Sequence, residues 1–136
     1  MSYATSAALQ AAIFARLVAH APLTDLVGEA IYDALPAGPL PPLYATLGAE
    51  KVRDRSDKTM AAAEHDLTVS VVSDAAGFRA AKEAAAAVSD ALAGPMPPLA
   101  RGRLVGLWFL RARARRTGSG DARRIDMVFR ARSEDG

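Results

Sequence analysis

A chain of 136 residues, of which 51% are hydrophobic and 24% are charged, has the size and composition of one ordinary folded domain with its own core. The absence of cysteine excludes disulfides, thiolate metal sites and cysteine nucleophiles. The N-terminus lacks the basic and apolar regions of a signal peptide, and the apolar runs are too short to span a membrane. We therefore expect a single domain over residues 1–136.

The net charge of +2 hides an asymmetry along the chain. Residues 101–132 hold ten arginines against two acidic residues, whereas the rest of the chain holds seven basic and thirteen acidic residues. A basic C-terminal third on an otherwise acidic chain predicts an oriented electrostatic surface. Its partner is expected to be nucleic acid or the acidic face of another subunit.

The N-terminal segment is predicted to be a helix over residues 2–21. Its buried stripe is formed by Leu9, Ile13 and Leu17, and Ser2, Thr5 or Ser6 can cap its start. Pro22 either ends this helix or opens a short second one that closes at Gly28. Ile31-Tyr32 is expected to be a short extended piece.

Four prolines make residues 36–42 a rigid connector outside any sheet. A strand is predicted over residues 43–52, and the charged stretch 53–59 has no periodicity, so we expect a mobile loop or arm. A central strand follows over residues 64–74, and it feeds a helix over residues 75–93. This helix is capped by Ser73 or Asp74, and apolar residues recur on it at spacings of three and four: Phe78, Ala81, Ala85, Val88 and Leu92.

Two further strands are predicted over residues 103–116 and 124–132, joined by a flexible turn over residues 117–121. Simple alternation puts Leu107 and Phe109 on the same face of the first of these strands as Arg111, Arg113 and Arg115, with Trp108 on the other face. In the second strand one face carries Ile125, Met127, Phe129 and Ala131. The tail 133–136 is expected to be frayed.

The element order α-β-β-α-β-β predicts an α+β domain. We expect an antiparallel four-stranded sheet with the two main helices packed on one of its faces.

Residue types that could carry catalysis or bind a metal are few. His20 and His65 are interpreted as surface or capping residues. A hydrolase using His65 and Asp66 is a weak alternative, because no serine or lysine stands at a motif spacing to be activated. The acidic residues Asp54, Asp57, Glu64 and Asp66 fit no calcium-loop spacing and are interleaved with basic residues, which favours a solvated charged loop.

The arginine ladder Arg111, Arg113 and Arg115 is the strongest feature, since its members lie about 6.5–7 Å apart on one strand face. It predicts a surface that faces nucleic acid or an acidic subunit, with a subunit preferred; a bare hairpin whose charges discourage edge-to-edge aggregation is the competing interpretation. Trp108 is expected in the core, with an interface anchor as the alternative.

Several short phrases occur in an order that resembles a known family. They are Ile31-Tyr32-Asp33, then Tyr44 to Gly48, His65 to Val71, the helix Ala80 to Leu92, and Arg103 to Leu107. The chain resembles the small tail-completion proteins of tailed phages, and among them it is most similar to the tail terminator of the gene transfer agents of alphaproteobacteria. The resemblance covers essentially the whole chain.

The resemblance implies a structural protein, without catalytic residues or cofactors, that forms a six-subunit ring. Such a ring terminates the tail tube, offers a docking surface for the head connector or stopper protein, and lets DNA pass through its lumen without sequence-specific binding. The protein is then expected in the cytoplasm of the producing bacterium and afterwards in the tail of the released particle, with no membrane partner.

The candidate contact residues follow from exposure and charge. The segments Arg53–Met60 and Arg111–Arg116 are expected to contact neighbouring subunits. The alternative is a nucleic-acid-binding module that uses the arginine-rich hairpin. The residues expected to face a subunit or DNA are Arg53, Arg55, Lys58, Trp108, Arg111, Arg113, Arg115, Arg116 and Arg130.

Overall fold

A computed structural model describes residues 3–118 and 122–136, and within them three helices and five strands. The helices are α1 (Ser6–Val18), α2 (Ala21–Val27) and α3 (Arg79–Ala93). The strands are β1 (Ile31–Tyr32), β2 (Leu43–Asp54), β3 (Ala61–Ser73), β4 (Arg103–Thr117) and β5 (Ala122–Asp135).

The α+β class is as predicted, but the antiparallel four-stranded sheet is wrong. The sheet has five strands in the order β1-β2-β3-β5-β4, and it is mixed because β1 runs parallel to β2. Ile31 and Tyr32 are too few residues for an alternating pattern to mark them as a strand. The parallel pairing is possible because residues 33–42, with the proline-rich connector, carry the chain back to the start of β2.

The core lies between one face of the sheet and the helices. Leu9, Ile13 and Leu17 of α1 are almost completely buried, as their spacing predicts. They meet the inward side chains of the two central strands, which include Val69, Val71, Met127 and Phe129. The buried stripe of α3 consists mostly of alanines, which let the helix backbone approach the sheet closely. The predicted inward face of β5 is confirmed by strict alternation of buried and partly exposed residues.

Several element boundaries differ from the prediction. The N-terminal helix breaks after Val18, and a separate α2 begins at Ala21 with Pro22 in its first turn, which is the second of the two alternatives. The third helix begins only at Arg79, with Phe78 at its N-cap position, so neither Ser73 nor Asp74 caps it.

Two segments predicted to lie outside the sheet belong partly to its strands. Arg53 and Asp54 belong to β2, and the segment beyond them is the tip of a β-hairpin in which Asp57 accepts hydrogen bonds from the backbone of Thr59 and Met60. These backbone N–H groups hold the pKa of Asp57 below its ordinary value. The tail is not frayed, since β5 continues to Asp135 and pairs with both β3 and β4. The predicted turn over residues 117–121 lies mostly outside the described residues, which reach only Gly118.

In the described part of the chain no single helix has the length and hydropathy needed to cross a membrane. By length and composition alone α1 and α2 meet that requirement together, but they are bent by 76° at their junction.

Candidate subunit-interface surface

The side of the sheet that faces away from the helices is strongly basic, and we call it the basic sheet face. The strand registers place nine basic and four acidic residues on it. The basic residues are Lys51, Arg53, Arg103, Arg111, Arg113, Arg115, Arg124, Arg130 and Arg132, and the acidic ones are Glu64, Asp66, Asp126 and Glu134. The face is therefore a broad charged surface with a surplus of positive charge.

A bulge in β4 decides which residues share this face. Phe109 lies opposite Phe129 and Arg111 lies opposite Val128, so Leu110 is an extra residue without a counterpart in β5. A second bulge leaves Val105 without a counterpart between Leu104 and Gly106. The faces predicted by simple alternation are therefore wrong between the two bulges. Phe109 lies on the helix-facing side and stacks edge-on against Phe129 with ring centroids 5.7 Å apart.

Trp108 lies opposite Arg130 and joins the arginine ladder on the basic sheet face. It is 45% exposed, so the expectation of a core tryptophan is wrong. Tryptophan and arginine are enriched at protein interfaces, so an exposed tryptophan beside several arginines favours the alternative of an interface anchor.

The acidic residues of the face are each held by arginines. Arg130 donates to both carboxylate oxygens of Asp66, over 2.8 and 3.1 Å, and Arg53 donates to Glu64. The hydrogen bond from Arg130 holds the pKa of Asp66 below its ordinary value, and the one from Arg53 does the same for Glu64. These four side chains therefore tie β2, β3 and β5 together across the sheet.

Asp126 is the third carboxylate of the face. Burial by itself acts to raise its pKa, but hydrogen bonds from Ser70 and Arg124 outweigh burial and hold the pKa below its ordinary value. Ser70 donates over 2.6 Å and Arg124 over 2.8 Å, and the Arg115 guanidinium lies 3.4 Å away.

Two members of the ladder stand apart from these ion pairs. Arg111 and Arg113 are exposed, and no carboxylate of the described residues lies within salt-bridge distance of either. Arg116 lies opposite the inward-facing Arg123, so it is exposed but turned to the other side of the sheet and does not extend the ladder.

The hairpin tip between β2 and β3 carries the remaining candidates. Arg55 lies 3.4 Å from the carboxylate of Glu64, which keeps it beside the basic sheet face. Lys58 is exposed in the tip itself. The structure thus brings together Arg53, Arg55, Trp108, Arg111, Arg113, Arg115 and Arg130, and it separates Arg116 from them.

A buried polar network on the helix-facing side of the sheet was not predicted from the sequence. His65 is 0% exposed, so its interpretation as a surface or capping residue is wrong. Its Nδ1 lies 3.1 Å from Glu50 and its Nε2 lies 2.8 Å from the Ser133 hydroxyl. Further hydrogen bonds join Ser133 to Thr5, and Glu50 to Tyr3 and Ser6. The alternation of His65 with Leu67, Val69 and Val71 is the signal that could have placed it inward.

Serine, histidine and carboxylate stand here in the order of a hydrolase triad, but the arrangement is structural. His65 and Ser133 are 0% and 1% exposed, so a substrate cannot reach them. The alternative hydrolase with His65 and Asp66 is also wrong, because Asp66 points to the basic sheet face, away from His65. The network instead fastens the start of α1 to β2, β3 and β5.

His20 occupies the N-cap position of α2, half-buried and without a side-chain cap hydrogen bond. Within residues 3–118 and 122–136 no group of three or more histidine, aspartate or glutamate side chains is arranged to hold a metal.

The fold and its basic sheet face define a small α+β protein with an extended charged surface. The chain belongs to the family of the tail completion protein gp17, whose sequence model matches residues 11–134. It is a structural virion protein that terminates a tail, and the family resemblance seen in the sequence is confirmed.

A solved structure of the virion of a native gene transfer agent particle contains a chain with 61% sequence identity. The two superpose with a TM-score of 0.92 over 98% of this chain and 99% of that chain. No curated protein matches the sequence.

Proposed function

We propose that copies of this chain form a homo-oligomeric ring, of six subunits by the family resemblance, that closes the tail tube of a gene transfer agent particle. The ring also docks to the head connector or stopper protein. The observation that carries the proposal is the 61% identity, over nearly the full length, to a chain of a gene transfer agent virion. The protein assembles in the cytoplasm of the producing bacterium and leaves it in the tail of the released particle.

The surface supports contacts between large molecules. The hairpin tip with Arg55 and Lys58 and the strand segment Arg111–Arg116 project charged side chains at the periphery of the sheet. These two segments contact neighbouring subunits in the proposed ring. The surplus arginines of the basic sheet face also suit a lumen through which DNA passes, because they meet phosphates without reading bases.

The test is complementation of a producing strain that lacks this gene. Particles without the protein are expected to show tails of uncontrolled length or tails without heads, and the wild-type chain is expected to restore complete particles with a ring at the head-proximal end of the tail. Electron microscopy of the particles supplies the measurement. Complete particles that lack the chain, or a chain that stays monomeric within them, would contradict the proposal.

A nucleic-acid-binding module is the second candidate function. Its support is that Arg111 and Arg113 are exposed on one strand face without an acidic partner in the described structure. In that case affinity for duplex DNA falls steeply with salt, and Arg111→Ala/Arg113→Ala lowers the slope of log K against log salt by about 1.5–2. Arg79→Ala/Lys82→Ala on α3 removes the same charge elsewhere and is the matched control. Absence of binding at low salt would exclude this function.

A further inference from the structure

The β4 edge of the sheet is basic, whereas the part of the opposite side next to β1 and α2 is acidic. β4 forms one edge, and β1 forms the other. Between Arg16 and Lys51 the sequence contains four acidic residues and no lysine or arginine. Three of them, Asp25, Glu29 and Asp33, are exposed on α2, after α2 and after β1 respectively. We call this side, α2 to Pro42, the acidic edge, and the β4 side with Val105, Trp108, Phe109, Arg111 and Arg113 the basic edge.

The same two edges carry most of the exposed large apolar side chains. Of the eight in the described residues, three lie on the basic edge and three on the acidic edge. They are Val105, Trp108 and Phe109 on the basic edge, 45–48% exposed, and Leu26, Leu35 and Leu40 on the acidic edge, 37–50% exposed. Exposed apolar groups next to charge are typical of contact surfaces.

The acidic edge also has a groove. It runs between α1 and the α2–β1 turn, has a volume of about 490 Å³, and is lined by Phe14, Val18, Thr24, Gly28, Glu29 and Ile31. Phe14, Val18 and Ile31 supply apolar contacts in it, and Glu29 supplies negative charge. The groove belongs to the helix layer, and Phe109 projects from β4 on that same helix-facing side of the sheet.

We propose that the basic edge of one copy docks on the acidic edge of the next copy, head to tail, with Phe109 in the groove beside Phe14 and Val18. The inference rests on the proposed ring and adds its interface. When two different surfaces on opposite sides of a protomer bind each other, successive copies form a closed ring if the rotations between them add up to a full turn. A contact between two identical surfaces joins only two copies and cannot form a ring by itself. The charges fix the direction of docking, because basic-to-basic and acidic-to-acidic contacts are repulsive.

The test uses two complementary charge reversals, each produced in a strain that lacks the native gene. One variant is Arg111→Glu/Arg113→Glu, and the other is Asp25→Arg/Glu29→Arg; none of these four side chains has an ion pair among the described residues. Each variant alone is expected to lower the yield of complete particles at least tenfold. Produced together, they are expected to restore most of the yield, because alternating copies again bring opposite charges to every interface. Arg79→Glu/Lys82→Glu on α3 is the control of equal charge change and is expected to keep full yield.

Thermal melting of each purified variant shows whether it folds. Folded single variants that still give full particle yield would overturn the inference, and so would a mixture of folded variants that is not rescued. If either reversal prevents folding, Glu29→Cys/Arg113→Cys decides the matter, since the chain has no cysteine of its own. A disulfide-linked ladder of subunits in particles is then expected, and its absence overturns the inference. A ring seen in wild-type particles leaves the proposed function intact in all of these cases.

Discussion

Gly102 holds the turn into β4 in a backbone conformation that favours glycine. Its φ is +74°, and a Cβ built there lies 2.5 Å from the carbonyl oxygen of Glu134 and 2.5 Å from the methyl group of Thr5. Gly102→Ala is therefore expected to lower the free energy of unfolding by about 1–3 kcal/mol, because both the strain and the clash act on the folded state. Urea denaturation measures the change.

Gly77→Ala is the matched control for Gly102. A Cβ at Gly77 meets nothing within 4 Å, and its φ is not in the left-handed region. The stability of this variant is expected to equal that of the wild type or to exceed it slightly, since alanine restricts the unfolded chain. Equal stability of both variants would contradict the role assigned to Gly102.

Ser133 is the junction of the buried network. Ser133→Ala removes its hydrogen bonds to His65 and Thr5 and leaves both partners buried without them. We expect a loss of about 1–3 kcal/mol in the free energy of unfolding, measured by urea denaturation. Ser89→Ala on α3, a partly exposed serine, is the control and is expected to change stability little.

For single residues, the sequence shows which side chains are apolar, but it does not show which polar side chains form hydrogen bonds with each other in the core. The inward face of β3 was visible from Leu67, Val69 and Val71, and extending it by one step predicts a buried His65. Its partners Glu50 and Ser133 are 15 and 68 residues away along the chain. No local pattern marks such contacts, because only the strand registers bring them together.

The carboxylates of the basic sheet face make stability depend on pH. The folded-state pKa of Asp66 lies below its ordinary value because Arg130 donates to the ionised form. A lowered folded pKa stabilises the fold above the unfolded pKa of about 4, and this contribution is lost as the pH falls through the folded pKa. Asp66→Asn is therefore expected to cost about 1 kcal/mol at pH 7 and progressively less below about pH 4.

Urea denaturation of the wild type and of Asp66→Asn across pH 3–7 measures this difference. Asp90→Asn is the control, because Asp90 is exposed on α3 without an ion pair in the described structure. Its effect is expected to be small at every pH. A constant difference between wild type and Asp66→Asn from pH 7 to pH 3 would contradict the role of the Arg130 hydrogen bond.

The bulge at Leu110 leads to a prediction about strand register. Deletion of Leu110 leaves Phe109 opposite Phe129 and Arg111 opposite Val128, so every arginine keeps its face and the pairing becomes regular from Gly106 to Thr117. Deletion of Ala112 also removes the extra residue, but a regular strand then carries Arg111 to the helix-facing side opposite Met127. We expect the first deletion to melt near the wild-type temperature and the second to be clearly less stable. Similar thermal melting of the two deletions would contradict this register.

The long elements were predictable because each repeats a period many times. The alternation of β5 and the three-four spacing of α1 and α3 place most of the core correctly. A bulge adds a single residue and leaves no mark in composition, so the predicted faces of β4 are reversed between the bulges at Val105 and Leu110. The parallel pairing of β1 could not be predicted either, because a strand of two residues, Ile31 and Tyr32, is too short to show an alternating pattern.

Trp108 is the anchor that we propose between the single chain and the assembly. Because it is 45% exposed, Trp108→Ala is expected to lower the unfolding free energy of the chain by less than about 1 kcal/mol. As an interface anchor, the same change is expected to reduce the yield of complete particles several-fold. Phe129→Ala, at a residue 2% exposed, is the contrasting variant and is expected to cost about 3–5 kcal/mol of stability.

Denaturation of the purified chain and particle counts by electron microscopy separate these two effects. A large loss of chain stability in Trp108→Ala, or a full particle yield, would contradict the anchor. Charge composition alone indicated that the C-terminal third faces a partner. The sequence analysis named an acidic face of another subunit as a possible partner but not its position, because Asp25, Glu29 and Asp33 are spread from α2 to the residue after β1 and lie on one side only in the fold.

β5 comes after β4 in the sequence but lies inside the sheet, whereas β4 forms its edge. This order affects how the nascent chain folds. β5 lies between β3 and β4 and is hydrogen-bonded to both along its length. While the ribosome is still translating, β4 emerges without its partner, and the inward faces of β3 and α3 lack Ile125, Met127 and Phe129. We therefore expect the sheet to close late, when β5 pairs with both β3 and β4, and we expect premature pairing of β3 with β4 to be the main competing misfold.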